Sequence, residues 1–343
     1  MSKTIYYLGA GASYGRREKD TNSIIEGIPV VSEIPTEMDA FRTFISGAEV
    51  PSKETVFQNR YRTSKGYIES DKQEMLEDID SLIEGIKQHA TIDTYARKLY
   101  LTGNKRDFEK LKRVLCAFFI WEQLDKKADI RYDTFLANIL EEKTLDLPSE
   151  ISIISWNYDS QIEIAYQSYR KSSGLPVFEK NLQGDWPSLP NCGRVFKVNG
   201  TASFEDLPNV QLIKEDKNAS PAIQLILFYH NTMVDTSELG FQCKTHLSFA
   251  WEDSPNSGNM SHSIDATTQD TEQVVVIGYS FPFFNRVTDR AILRGMPNLK
   301  KVYVQDINTS AVTQSIQAVL PKDKKIEVIP ISNCAQFYLP EEL

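Results

Sequence analysis

Short apolar runs recur along the chain at Ile5–Leu8, Ile151–Ser155, Val195–Val198, Val274–Ile277, Val302–Val304 and Ile326–Ile329. They are rich in Val, Ile and Tyr, and turn residues bound them. Runs of this kind predict strands of a parallel sheet covered on both faces. Stretches with helical spacing of apolar residues follow three of them. These are Ser160–Tyr169 after the second run, Arg286–Leu293 after the fourth and Thr309–Val319 after the fifth. The alternation predicts an α/β fold, a Rossmann-like doubly wound parallel sheet.

One interval breaks the alternation. Between about Pro35 and Leu147 no run reads as a strand, whereas Glu74–His89, Ile92–Leu101 and Phe108–Leu124 have helical periodicity. Phe108, Leu111, Leu115, Phe118 and Phe119 line one face, continued by Trp121 and Leu124. Core packing accounts for such an aromatic stripe. The expected organisation is one domain over 1–343, with a helical insertion over 35–147 after the first βα unit. A second interval, 205–272, is polar and reads as irregular and loop-rich. It contains Asp-Ser-Pro-Asn-Ser-Gly around Pro255, a flexible-loop composition.

Composition narrows the class. The 343 residues carry a formal charge of -9, which argues against direct nucleic-acid or anionic-membrane binding as the main business of the chain. A local basic patch at Arg16, Arg17 and Lys19 remains compatible with that charge. No run approaches the roughly 20 apolar residues of a membrane span. Gly9-Ala10-Gly11 interrupts the first apolar run too early for a signal peptide, so a cytoplasmic location is expected. The four cysteines, Cys116, Cys192, Cys243 and Cys334, form no Cys-x-x-Cys pair. Free thiols are therefore expected, with no zinc ribbon and no metal.

Four motifs fall at the C-terminal ends of expected strands, where open α/β sheets bind ligands. Gly9-Ala10-Gly11-Ala12-Ser13 ends the first. Its glycines permit steep turns and close approach to a pyrophosphate, and a following helix would aim free N–H groups at the anion. Ser155-Trp156-Asn157-Tyr158-Asp159 ends the second. Asn157 and Asp159 offer partners for a ribose or a carboxamide; read locally, they cap the next helix. The third is Lys197-Val198-Asn199-Gly200-Thr201. The fourth is Ile277-Gly278-Tyr279-Ser280-Phe281-Pro282, followed by Asn285 and Asp289. Gly278 and Ser280 form a small-residue turn suited to phosphate or ribose. Asp306, after the fifth run, either accepts the hydroxyls of an adenosine ribose or is a turn residue. Together these turns favour a dinucleotide site.

In this order the motifs resemble the SIR2-like family, in particular the bacterial SIR2-like domains of antiphage defence systems rather than the deacetylase sirtuins. The resemblance spans most of the chain. It implies a pyrophosphate loop at Gly9, Ala10, Gly11, Ala12 and Ser13, and a nicotinamide-ribose motif at Asn157 and Asp159. It places a second nucleotide turn at Gly278 and Ser280, with Asp306 near the adenosine. Two departures stand out. The paired Cys-x-x-Cys motifs of the deacetylases are missing, and Asn199-Gly200 stands where the family usually has His-Gly, whose histidine is the usual base.

The implied activity is NAD glycohydrolysis, with NAD as substrate and nicotinamide and ADP-ribose as products, in an antiphage effector that depletes NAD. A pyridinium leaves as a neutral molecule, so no general acid is required, and the transition state resembles an oxocarbenium ion. Asn199 does not titrate near neutrality and cannot act as base, though an amide can orient a water or a ribose hydroxyl. His230, in Phe228-Tyr229-His230-Asn231, is the candidate replacement, against the plainer reading of a packed structural histidine. His89 and His262 read as surface residues. The rival expectation is an NAD- or ADP-ribose-binding module that signals through assembly. A third is an interaction subunit whose helical insertion packs on further copies, as a homo-oligomer, or on a partner such as a HerA-type ATPase.

Overall fold

The six apolar runs pair as one parallel sheet in the computed structural model of the chain. The strands are β1 (Lys3–Leu8), β2 (Ile151–Ser155), β3 (Val195–Lys197), β4 (Thr271–Ile277), β5 (Lys301–Gln305) and β6 (Glu327–Ile331). Their order is β3-β2-β1-β4-β5-β6, with every neighbouring pair parallel. This is the doubly wound order of dinucleotide-binding sheets, in which chain direction across the sheet reverses between β1 and β4. In register, Leu8 lies opposite both Ile277 and Ser155. The turns that follow β1, β2 and β4 therefore emerge side by side. The structure describes residues 3–50, 55–57, 61–63, 65–173, 193–204, 213, 219–231, 233–236, 240–243, 245–252 and 264–341.

The strands are apolar on successive residues because both sheet faces are covered. Ile5 and Tyr7 pack on one side with Ile154, Val274, Val276, Val302 and Val304. Tyr6 and Leu8 pack on the other with Ile153, Val275, Ile277 and Tyr303. Helices Arg286–Arg294 and Thr309–Gln317 cover the first face through Ile292, Leu293, Val312 and Ile316. Helices Ile130–Ile139 and Gln161–Ser173 cover the second through Phe135, Leu136, Ile162 and Tyr166. Each such side chain contributes about 1.5–3 kcal/mol of burial.

The chain divides into two units. The first, which holds the sheet, comprises Met1–Gly27, Lys127–Thr201 and Ser248–Leu343; the second comprises Ile28–Lys126 and Ala202–Leu247. The departure and return points of the first unit are tied together. Gly27 N–H donates to the Lys127 carbonyl at 2.9 Å, and Ser248 N–H to the Asn199 carbonyl at 2.9 Å.

Several expectations change. The interval 35–147 does not act as one insertion, because helix Ile130–Ile139 buries its apolar face on the sheet of the first unit. It also contains a short antiparallel pair, Thr55–Phe57 with Tyr61–Thr63. The polar interval 205–272 holds the helix Pro221–Asn231, buried from Ala222 to Tyr229, and the strand pair Met233–Thr236 with Gly240–Cys243. Its polar composition concealed a short, almost wholly apolar helix. The loop around Pro255, His262 and Cys192 lie outside the described residues. Cys116 and Cys334 are free thiols. Among the described residues no helix is long and apolar enough to cross a membrane.

Candidate functional site

The glycine loop after β1 does not run into a long helix. Ala10–Ser13 form a single 3-10 turn, and Gly15 then reverses the chain at φ +66° into the pair Arg16–Arg17 with Ile24–Glu26. A side chain there would put its Cβ 2.2 Å from the Glu26 carbonyl oxygen, so the sharp reversal displaces a helix. The N–H groups of the loop are mostly engaged within the protein. Gly9 donates to Ile277 O at 3.0 Å, Gly11 to Gly278 O at 3.0 Å and Ala12 to Gly9 O at 2.8 Å. A Cβ on Gly278 would lie 2.4 Å from Gly11, and one on Gly11 would lie 2.7 Å from the Gly278 Cα. The glycines thus bring the β1 and β4 turns into backbone contact at the point where strand order reverses.

Ser13 is the hub beneath this loop. Asn157 Nδ2 donates to Ser13 Oγ at 3.1 Å and to Gly9 O at 2.9 Å. Ser13 Oγ donates to Asp159 Oδ1 at 3.1 Å and lies 3.0 Å from the Tyr132 hydroxyl. A hydroxyl has one proton, so with Asp159 receiving it, the Tyr132 hydroxyl is the donor toward Ser13. Burial holds the Tyr132 phenol well above its usual range, which keeps that proton in place. Ser13 is then saturated. It organises Asn157 and Asp159 rather than offering its hydroxyl outward.

Asp159 caps helix Gln161–Ser173 by accepting from Gln161 N–H at 2.9 Å, as the local reading of the sequence foresaw. Its Oδ2 is buried and accepts no hydrogen bond. Lys197, 1% exposed, donates its ammonium to the Asp159 carbonyl and stands 3.5 Å from Glu163 Oε1. Burial raises the pKa of both Asp159 and Glu163, and the Lys197 charge opposes that rise in each. A buried cation beside two buried acids favours at least one carboxylate beneath the β2 turn.

The other expected site residues divide. Asn199 Nδ2 donates to Trp156 O at 2.9 Å, and its Oδ1 accepts from Ala250 N–H at 3.0 Å. Asn199 therefore fastens the segment before Asn157 to residues 248–250. Gly200 makes the turn after it at φ +67°. Ser280 is exposed, and Phe281 beside it has φ +53°, a strained value for a bulky residue. Asp306 Oδ1 accepts from Asn308 N–H at 2.7 Å, the turn-residue alternative in the sequence reading. His230 belongs to the second unit, where its Nδ1 lies 3.2 Å from Asp71 Oδ1 and 3.5 Å from Glu74 Oε2. Those two contacts account for its position. His89 Nδ1 lies 2.7 Å from the Gly85 carbonyl. Among the described residues no group of three or more His, Cys, Asp or Glu is placed to hold a metal ion.

The periodicity did not mark Lys197, Tyr132 or the Asp129–Arg131 pair. Arg131 Nη2 donates to Gly11 O at 2.8 Å, and Asp129 Oδ2 accepts from Gly15 N–H at 2.7 Å, so the pair clamps both ends of the 3-10 turn. A lysine inside Val195-Phe196-Lys197-Val198 was the one visible signal, since charge in a buried strand requires a partner. A scan of the chain against protein-family models and a search of curated proteins both give no match.

Proposed function

We propose that the chain binds a dinucleotide at the switch point, over the β1 and β4 turns, and that it is an NAD glycohydrolase of SIR2-like type, releasing nicotinamide and ADP-ribose as a defence effector. The strand order carries this reading, because it sets two glycine turns and the Ser13–Asn157–Asp159 cluster at a topological switch point. Within it, the C–N bond electrons leave with the neutral nicotinamide, the ribose gains oxocarbenium character and water adds with loss of a proton. Asn157 orients the nicotinamide half. The buried Asp159 carboxylate, with an oxygen free of hydrogen bonds, supplies negative charge toward the developing cation.

A chromatographic time course with NAD tests the reading. Nicotinamide and ADP-ribose should appear in equal amounts, and Asn157→Ala should slow the release by about 10²–10³-fold, the usual cost of a lost electrostatic group. An unslowed Asn157→Ala variant with intact circular dichroism would overturn the assignment.

A second reading is a module that binds NAD or ADP-ribose without cleaving it and acts through assembly. Its support is Asn199, whose amide is fastened to backbone on both sides where a titrating base would be expected. Calorimetry that finds NAD binding, with no product in the time course, would favour it.

A further inference from the structure

The motif after β4 carries two polar residues, Asn285 and Asp289, that neither reading uses. Asp289 is 0% exposed on helix Arg286–Arg294. It accepts from the Tyr7 hydroxyl at 2.6 Å and from the Tyr279 hydroxyl at 3.2 Å. Asn285 Nδ2 donates to that same Tyr279 hydroxyl at 3.1 Å. Tyr7 comes two residues before Gly9, and Tyr279 directly follows Gly278. The carboxyl thus joins, from below, the two turns whose glycines touch above.

The rings around it extend the connection. Trp156, which immediately precedes Asn157, stacks on Tyr279 with centroids 5.1 Å apart and planes at 13°. Tyr7 stacks on Phe281 at 5.8 Å and 13°. All three turns at the switch point therefore rest on one aromatic layer with a single carboxyl at its polar end. An apolar layer does not need that carboxyl for packing, and burying one is costly unless it is bonded. Its geometry is that of a lock on orientation: the Tyr7 hydroxyl is aimed at Oδ1 and the Tyr279 hydroxyl reaches both oxygens, at 3.3 and 3.2 Å.

We propose that Asp289 is a positioning residue, which through the Tyr7 and Tyr279 hydroxyls fixes the β1 and β4 glycine turns against each other in the arrangement that a dinucleotide requires. The ligand in this statement rests on the dinucleotide reading; the mechanical coupling does not. The groups facing Asp289 are Tyr7 from β1, Tyr279 from the turn after β4, and Arg286 from its own helix. Burial is the main influence and pushes the acid up to about 7, against the pull of the two tyrosine bonds and Arg286. Ionising this buried carboxyl costs more than its hydrogen bonds return, so the lock is strongest below that pH and weakens as pH rises through it.

Hydrogen exchange resolved to peptides, on wild type, Asp289→Leu and Asp289→Asn, tests the proposal beside NAD calorimetry on the same three proteins. Asp289→Leu should speed exchange about tenfold or more in the turns after β1 and β4, leave β5 and β6 protected, and weaken NAD binding about tenfold. Asp289→Asn keeps one acceptor oxygen and should fall between the two. Wild type should show a change in turn protection near pH 7 after correction for intrinsic exchange, and Asp289→Asn should lose it. Unchanged turn exchange in Asp289→Leu would overturn the proposal, as would a uniform rise over the whole chain in both variants. If wild type binds no NAD, the dinucleotide reading falls, and the exchange pattern still decides the role of Asp289.

Discussion

Asp289 and Glu122 are buried carboxyls whose protons are held more tightly in the folded chain than in the unfolded one. Burial pushes each up to about 7; Lys126 opposes the rise at Glu122, and the two tyrosines oppose it at Asp289. An unfolded carboxyl titrates near 4, so the native chain binds the extra protons between about pH 4 and pH 7. Stability from these groups is greatest below that window, falls across it and is level above it. Three pK units correspond to about 4 kcal/mol as an upper bound for one group. Asp289→Asn should flatten the decline, and urea unfolding at about pH 4.5 and about pH 7.5 on both proteins checks it, since every other group cancels in the comparison. Equal declines would count against the burial argument. The cluster was partly readable at this scale. Ser13, Asn157 and Asp159 were marked by their places at strand ends, and the structure joins them. Tyr132 was not, because a tyrosine on the apolar face of a helix has the pattern of any core residue, and only a partner from a distant segment gives its hydroxyl a role.

Among the elements, the turn from β3 through Gly200 shows how one side chain can substitute for regular structure. Asn199 closes a donor–acceptor clasp between two segments that share no sheet pairing. Asn199→Ala should cost about 1–3 kcal/mol, since it leaves buried backbone groups unpaired. The measurement is thermal melting combined with limited proteolysis over 245–252, where the variant should be cut faster. If the amide instead held the attacking water, melting would be unchanged and only turnover would fall. The strands were legible because two covered faces force continuous apolar runs: β2 lies where the runs placed it, and β1, β4 and β5 extend one to three residues further at one or both ends. The helix expected after Ser13 was not, because Gly15 and its contact with Glu26 are conformational facts that periodicity does not carry.

For the molecule as a whole, the central pairing of the sheet joins β1 at the start of the chain to β4 late in it. Contacts this distant in sequence make folding slow and leave β1 with an unpaired edge until β4 has been made. A chain ending at residue 252, without β4 to β6, should therefore be recovered mainly as aggregate, and the whole chain mainly in the supernatant. Sedimentation of the two after expression tests this, and a soluble truncated chain with native-like near-ultraviolet dichroism would contradict it. The doubly wound class could be inferred from alternation alone. The division into two units could not, because no change of composition marks Gly27, Lys127, Thr201 or Ser248.

Those boundaries have an architectural consequence. The chain quits the sheet-bearing unit twice, and each time resumes it one hydrogen bond away, at Gly27 with Lys127 and at Asn199 with Ser248. Topologically, both excursions are detours. Joining the ends of both with a few residues would leave the path of every sheet strand unchanged, and because the two excursions pack on each other as one unit they would have to be removed together.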